Sequence, residues 1–495
     1  MPKGAIEFWR RWAPELVLAA LAGLVFLGFL GSVDLWGKRE QRASAEAIDT
    51  IRQGHWLVAQ IQGRPRLEKP PLPRWTIAGL MLLTGRQDEW VVRLPSALSA
   101  LGMVALVYAL GCRLGGRSVG LASGLVLTSL GFFISEVRQA GNDGPLAFFT
   151  TLALYAAWRR LHGEADASGT KQLGARNWSL LMYFALGLGF LTKGPIIVLI
   201  AAITLVPYLA CVGRLRSGLA ALWHGWGLLL FLALALCWPV PVLMRDSKAA
   251  EVWYLEMAQK AVSAGVQHHR TREFLVIDWP WFTAPWVFVA TFGLALPFAR
   301  RAKSLRPKLW FPWWWAAGNL AMFCFWSVAK PNYYLPCLPG AALLTGLAWV
   351  RLARRARSPQ PSAVLVRRLL QLNWAVLLAG ALAAPVAVSQ LVPHHLSGTV
   401  VLSTAITLAV VVSIWAWRRG ANAGAMMPLT AAMAFGVVFG YGVMAPVDNP
   451  AHSHRELAAT LDRLIPPERH TVMFFHELDE GLWFYLRDRD LQPVP

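Results

Sequence analysis

The sequence predicts an all-α polytopic membrane protein: a bundle of about 13 transmembrane helices, interfacial helices in two long outer loops, and a small α/β C-terminal tail. Three observations carry this prediction. Of 495 residues, 56% are hydrophobic and only 15% are charged, where a soluble domain carries about 25% charged residues. Apolar runs of about 20 residues, enough to cross a bilayer, recur along almost the whole chain. The basic residues behind the net charge of +20 cluster in short loops between those runs, where Lys and Arg orient membrane helices. That placement argues against nucleic acid as the partner of the charge.

The first run, 15–36, follows Lys3, Arg10 and Arg11. It is too long for a signal-peptide core and has no clear small-residue cleavage site. It therefore reads as a retained helix with a cytoplasmic N-terminus. Further spans fall near 91–112, 118–136, 144–161, 177–192, 195–213, 221–244, 281–299, 309–328, 333–353, 368–391, 398–417 and 427–445. The piece "WTIAGLMLLTG", 75–85, is too short to cross and is placed in the interface. With this count the loops carrying Arg113 and Arg117, Arg159 and Arg160, Arg214 and Arg216, Arg300 and Arg301, Arg354 and Arg355, and Arg418 and Arg419 all face the cytoplasm. Counting 75–85 as a span would invert every later loop and break the positive-inside pattern.

The same topology sends the polar segments to the outer face. These are loop 37–90 with "LEKPPLP", the turn "EVRQAGNDGP" (136–145), "LTKGP" (191–195), loop 245–280 with "QHHRTREF", and "AKPNYYLP" (329–336). Ile48 and Ile51 in one loop, and Val252, Leu255 and Val262 in the other, give amphipathic pieces that read as helices lying on the membrane. Trp253, Tyr254, Trp279, Trp281 and Trp286 are of the type that sits at lipid headgroups. A transmembrane domain, 1–445, is followed by an outer tail, 446–495. In the tail "ELAATLDRL" reads as a helix, "TVMFF" as a strand, and "LWFYL" as a strand or short helix. Fifty residues bury too little surface to fold alone, so the tail is expected to dock on the membrane domain. The cysteines Cys112, Cys211, Cys237, Cys324 and Cys337 show no metal or redox spacing and read as small buried side chains.

On the outer face stand the acids Glu40, Glu68 and Asp143 and the cations Arg42, Lys69, Arg138, Lys193, Arg270 and Lys330, with His268 and His269. A charge held at membrane depth is functional by default. Cations in excess beside apolar surface suit a ligand with a greasy tail and an anionic head, such as a polyprenyl phosphate. One carboxylate near several cations can deprotonate an acceptor hydroxyl while the cations stabilise charge building on a departing phosphate. Plainer roles stand beside these. Asp143 in "GNDGP" also reads as a helix cap, Lys193 as a partner of helix C-terminal carbonyls, and Tyr333 and Tyr334 as interface anchors or as lining of a lipid groove.

The segments "EQRASAE", "GHWLVAQIQGRPRLEKPPLPRW", "RQAGNDGPLAFF", "GFLTKGP" and "SVAKPNYYLPCLPGAALL", in that order, resemble the polyprenyl-phosphate-dependent glycosyltransferases of the multi-span GT-C fold. These include bacterial aminoarabinose (lipid A) transferases and protein O-mannosyltransferase relatives. The resemblance covers roughly residues 30–350. It implies a GT-C-like bundle and transfer, with inversion, of a sugar from a polyprenyl-phosphate donor to an acceptor hydroxyl of a lipid, glycan or protein. The site would face the extracytoplasmic side of the cell membrane. The family's acid after the first span falls on Glu40, although its usual Asp-Glu pair is here Arg39-Glu40, and its second acid falls on Asp143. The resemblance implies a phosphate contact at Lys69, with Lys193, Arg270 and Lys330 serving the same phosphate. It also implies a divalent metal between Glu68 and His268 or His269, against which stands a plain salt bridge with two solvated histidines. A transporter or flippase of lipid-linked glycans is the competing expectation, weakened by the lack of internal repeats.

Overall fold

The computed structural model describes residues 3–61, 64–163, 171–262, 277–326, 330–357, 359, 363–391, 395–421, 423–448, 454–464, 471–474, 480–486 and 490–493. The first half of the chain supplies α1 (Lys3–Leu27), α2 (Gly37–Gln53), the two-residue strands β1 (Gln60–Ile61) and β2 (Arg64–Pro65), α3 (Leu72–Thr84), α4 (Glu89–Gly115), α5 (Arg117–Ser129), α6 (Gly131–Val137) and α7 (Asp143–His162). It continues through α8 (Lys171–Lys193), α9 (Ile196–Cys211), α10 (Leu215–Leu222), α11 (Gly225–Leu236), α12 (Pro239–Arg245) and α13 (Lys248–Val262). Helices dominate the rest, so the all-α expectation holds.

Among the described residues, six helical segments are long and apolar enough to cross a membrane, or seven if the pair α5 and α6, bent by 64°, is one span. Three shorter apolar helices add to these. Length and composition of the described helices thus give fewer certain crossings than the 13 spans read from the sequence, but the chain is a multi-pass membrane protein. Small residues let the helices approach closely, as packing in lipid requires. A Cβ on Gly120 of α5 would lie 2.4 Å from Cys112 Sγ of α4, and one on Gly346 would lie 2.2 Å from Ser123 Oγ.

Helix α3 has 13 residues, about 20 Å at the usual rise, too short for a bilayer core of about 30 Å. Its Leu82 and Leu83 are exposed, as fits a helix on the membrane surface. Helices α2 and α13 occupy the two outer loops where amphipathic pieces were expected. Tyr254 and Trp281 are exposed, whereas Trp279 and Trp286 are core side chains: Trp286 donates its indole N–H to Ser129 Oγ at 2.8 Å. No cysteine is in a disulfide; Cys337 is buried, but Cys211 and Cys237 are exposed, contrary to the expectation that all are buried.

The tail folds as a helix, His454–Leu464, a short helix, Glu480–Tyr485, and two parallel strands, Thr471–Phe474 and Asp490–Pro493. It docks on α2 and the start of α4. Phe484 packs in a cluster with Leu35, Ala43 and Ile48. Tyr485 Oη donates to Glu89 Oε1 at 2.5 Å, and Arg455 reaches the same oxygen. Arg42 joins Glu480 at 2.9 Å.

One buried ion pair fixes α2 in place. Arg93 of α4 donates through Nε to Glu40 Oε1 at 2.9 Å and through one Nη to Glu40 Oε2 at 2.8 Å. Its other N–H groups bond the carbonyls of Leu30, Val33 and Asp34 at 2.6–2.8 Å. Glu40 also accepts from the backbone N–H of Trp36 at 2.7 Å and of Ala140 at 2.9 Å. Breaking a buried pair from one side costs about 3–5 kcal/mol because the remaining charge is stranded, whereas replacing both partners by apolar residues is often near neutral. Arg93→Met is therefore expected to lower the melting temperature of the detergent-solubilised protein sharply. The double variant Arg93→Met with Glu40→Leu should recover part of the loss. A double variant no more stable than the single would contradict this account of the pair.

Candidate active site

The loop between α2 and α3 carries no long secondary structure, so its backbone carbonyls need side-chain donors. Arg74 donates to the carbonyls of Trp56 and Leu57, both at 2.8 Å, and Trp75 Nε1 adds a bond to Trp56 at 2.7 Å. Trp238 Nε1 reaches the Leu57 carbonyl at 2.7 Å, and Trp253 Nε1 reaches that of Leu67 at 2.7 Å. Leu67 packs beside Leu191, Trp238 and Val242. The loop is thereby held against α8, α12 and α13, with Glu68 and Lys69 directed at the space between them.

That space is a cavity of about 430 Å³. Phe190, Leu191, Leu199, Trp238, Phe323 and Trp326 make an apolar wall, and Glu68, Lys69, Lys193, Glu256 and Tyr333 form a polar end. The Lys69 ammonium pairs with Glu256 of α13. Lys193, the last residue of α8, lies 4.4 Å from the centroid of the Tyr333 ring. After it the chain turns through Gly194, whose φ of 76° is favourable only for glycine, and re-enters as α9.

Lys193 leads into a second polar cluster. Its Nζ donates to Asp143 Oδ1 at 2.5 Å. Asp143 Oδ2 accepts from Asn332 Nδ2 at 2.7 Å and from an Arg39 Nη at 3.1 Å. The same Arg39 nitrogen reaches Glu136 Oε2 at 3.0 Å, and the second Arg39 Nη grips both Glu136 oxygens at 3.0 and 3.3 Å. Burial alone would lower the Arg39 guanidinium, but the carboxylates of Glu136 and Asp143 outweigh it and hold the group above its ordinary value. Asp143 is buried. Its side chain caps no helix; it ties α7 to α2, α8 and the Pro331–Cys337 turn.

The sequence-predicted residues separate into those at this site and those away from it. Lys69, Glu68, Lys193 and Tyr333 line one cavity, and Asp143 adjoins it. Glu40 is close in the fold but has no exposed surface, and its oxygens are occupied by Arg93, Trp36 and Ala140. It cannot touch an acceptor from there and acts as an anchor. Arg42 is engaged by Glu480 of the tail rather than facing the cavity. Arg138 is buried against the end of α1, donating to the carbonyls of Val25 at 2.5 Å and Gly28 at 2.8 Å, and stacks on Tyr441; it is a helix cap, not a phosphate ligand. Tyr334 is core, with its hydroxyl donating to the Ala316 carbonyl at 3.1 Å and its ring on Phe282. Lys330 is exposed, two residues before Asn332. Arg270, His268 and His269 lie outside the described residues.

Arg39, Glu136, Glu256 and Asn332 were not selected from the sequence as site residues. Glu136 and Asn332 stand inside the quoted segments "EVRQAGNDGP" and "AKPNYYLP", but nothing in their spacing distinguishes them from turn residues. For the expected metal, Glu68 offers one oxygen, Oε2, buried without a hydrogen-bond partner. Among the described residues no three His, Cys, Asp or Glu side chains converge. The other two expected ligands, His268 and His269, lie outside the described residues.

Comparison with known proteins bears on the family and the fold. Residues 68–242 match the family model described as dolichyl-phosphate-mannose-protein mannosyltransferase. The chain is 31% identical over 385 residues to the undecaprenyl phosphate-α-4-amino-4-deoxy-L-arabinose arabinosyl transferase of Pseudomonas paraeruginosa, covering 76% of this chain and 66% of that protein. It is 29% identical over 347 residues to transferase 1 of the same description from Pseudomonas fluorescens, covering 68% and 59%. It thus spans less than two thirds of the length of these curated relatives. In fold it superposes on ArnT from Cupriavidus metallidurans, crystallised bound to undecaprenyl phosphate, with a TM-score of 0.80 at 23% identity over 98% of this chain and 86% of that one. The Archaeoglobus fulgidus oligosaccharyltransferase superposes with a TM-score of 0.57 at 13% identity, over 98% of this chain and 65% of that one. The GT-C expectation for the fold therefore holds. The chain belongs to the polyprenyl-phosphate-dependent glycosyltransferases of the GT-C fold.

Proposed function

We propose that this protein is a membrane glycosyltransferase that moves a sugar from a polyprenyl-phosphate donor to an acceptor hydroxyl at the extracytoplasmic face, with its N-terminus in the cytoplasm. The observation that carries this reading is the single cavity with an apolar wall and two ammonium groups, Lys69 and Lys193, at one end. A polyprenyl chain fits the wall of Phe190, Leu199, Trp238 and Phe323, and its phosphate meets the two lysines. The lysines are held ready by Glu256 and Asp143, and a phosphate would compete for them. The acceptor oxygen attacks the anomeric carbon as the bond from that carbon to the phosphate oxygen breaks. The electron pair leaves with the phosphate, whose growing charge the ammonium groups stabilise. Such a leaving group needs no acid to protonate it, and a single displacement inverts the anomeric centre. Basic loops on the opposite face support the orientation. The relatives' names make undecaprenyl phosphate-α-4-amino-4-deoxy-L-arabinose the first donor to try, against lipid, glycan and protein acceptors.

The test uses purified protein in lipid vesicles with radiolabelled donor. Acceptor-dependent release of undecaprenyl phosphate is expected. Lipid crossing the vesicle with no sugar transfer would replace the enzyme with a flippase. Lys69→Met and Lys193→Met should each lower kcat/KM for the donor by ~10²-fold, about 2.7 kcal/mol of transition-state stabilisation. Arg138→Met should behave differently, lowering the melting temperature while leaving kcat near the wild-type value, since Arg138 holds backbone carbonyls of α1.

A further inference from the structure

We propose that the arginines where three helices meet at one membrane face bind the phosphate of an anionic phospholipid such as phosphatidylglycerol. This site is separate from the cavity and independent of the transferase reading.

The chain changes character after Asp278. Residues 279–447 contain 14 Lys and Arg and no Asp or Glu. Three helices of this stretch, Leu338–Arg355, Ala363–Leu391 and Leu396–Arg418, belong to segments long and apolar enough to cross a membrane. Arg354, Arg355 and Arg357 close the first, Arg367 and Arg368 stand near the start of the second, and Arg418 and Arg419 close the third. This part of the chain offers no carboxylate to neutralise them. Asn332, which bonds Asp143, lies at the start of the same segment, Pro331–Arg355, that the first group ends. The arginines therefore stand at the opposite membrane face from the candidate active site.

The fold draws these helix ends together. Arg357 donates to the carbonyls of Trp417 at 2.8 Å and Gly420 at 3.1 Å, and Arg367 donates to that of Ala356 at 3.2 Å. The end of the third helix is thereby held beside the end of the first, and the start of the second joins them. Arg354, Arg368, Arg418 and Arg419 are exposed around these ties. The Arg419 guanidinium lies 4.4 Å from the ring centroid of Trp415. Trp415 is itself exposed, as suits an indole at headgroup depth.

Membrane orientation alone does not explain this composition. It needs positive charge near helix ends, and Lys and Arg serve it alike. Between 331 and 447 Lys is absent and Arg takes every such position. A guanidinium presents a planar fork that grips two phosphate oxygens together, whereas an ammonium is a point charge. Beside the arginines, Val364 and Leu372 of the second helix and Val411 and Val412 of the third are exposed. They give the acyl chains of a bound lipid an apolar surface to lie on.

The experiment titrates the purified protein in detergent with phosphatidylglycerol or phosphatidylcholine and counts bound lipid by native mass spectrometry. Wild type is expected to bind phosphatidylglycerol ~10-fold more tightly or better. A variant carrying Arg354→Lys, Arg368→Lys, Arg418→Lys and Arg419→Lys keeps the charge that orients the helices and should lose most of that preference. Arg214→Gln with Arg216→Gln, in a different basic loop, should keep it. Equal binding of the two lipids by wild type overturns the proposal. So does a lysine variant with the full preference, or an equal loss in the variant at 214 and 216, since either would reduce the effect to diffuse charge attraction. Each of these results leaves the transferase reading intact.

Discussion

The buried pair between Arg93 and Glu40 holds the polar end of the molecule together. Every N–H of the guanidinium has an acceptor: Glu40 and the carbonyls of the chain leaving α1. Glu40 in turn bonds the backbone at Trp36, where α2 begins, and at Ala140, three residues before Asp143. One contact therefore sets the position of α2, the exit of α1 and the turn that delivers Asp143. In a low-dielectric setting such a pair is tolerated only when every polar group is satisfied, and here each charged oxygen and nitrogen has a partner.

Around that anchor the charged groups differ in exposure. The innermost are sealed and hold structure. Asp143 is buried beside the cavity, and Lys193 is half-buried on its lining. Arg39 is the outermost, half exposed, with Glu136 half-buried beneath it. The apolar side is built by different means. Indole N–H groups of Trp75, Trp238 and Trp253 satisfy loop carbonyls, and the rings of Trp238 and Trp253 also line the cavity, so these two side chains solve the polar problem of the loop and the apolar problem of the cavity.

Much of the site was legible in the sequence. The lysines of "EKP" and "TKGP" and the aspartate of "GNDGP" are charged residues in an otherwise apolar chain, and such residues are rare unless they have a task. The tail helix, its first strand and its docking on the membrane domain also follow from composition. Arg42 and Arg138 show where this reasoning stops. An arginine at the membrane face looks the same in sequence whether it meets a phosphate, a carboxylate of the tail or the carbonyls at a helix end. Glu40 is the sharper case: its place in the chain marks it as important, but only the position of Arg93, 53 residues away, turns it from a reactive group into a sealed one.

The sequence by itself determined that this chain lives in a bilayer, that its polar segments gather on one face, and which lysines and aspartate stand among them. Hydropathy and loop charge are local properties summed along the chain, and membrane insertion responds to those sums. The tertiary structure decided that Glu40 is sealed and that Asp143 stands beside the cavity. It also decided that Arg39 bridges Glu136 to Asp143 and that Glu256 faces Lys69 across 187 residues. Those outcomes depend on how many donors surround each oxygen in space, and that number is set by helices that meet only after the chain has folded.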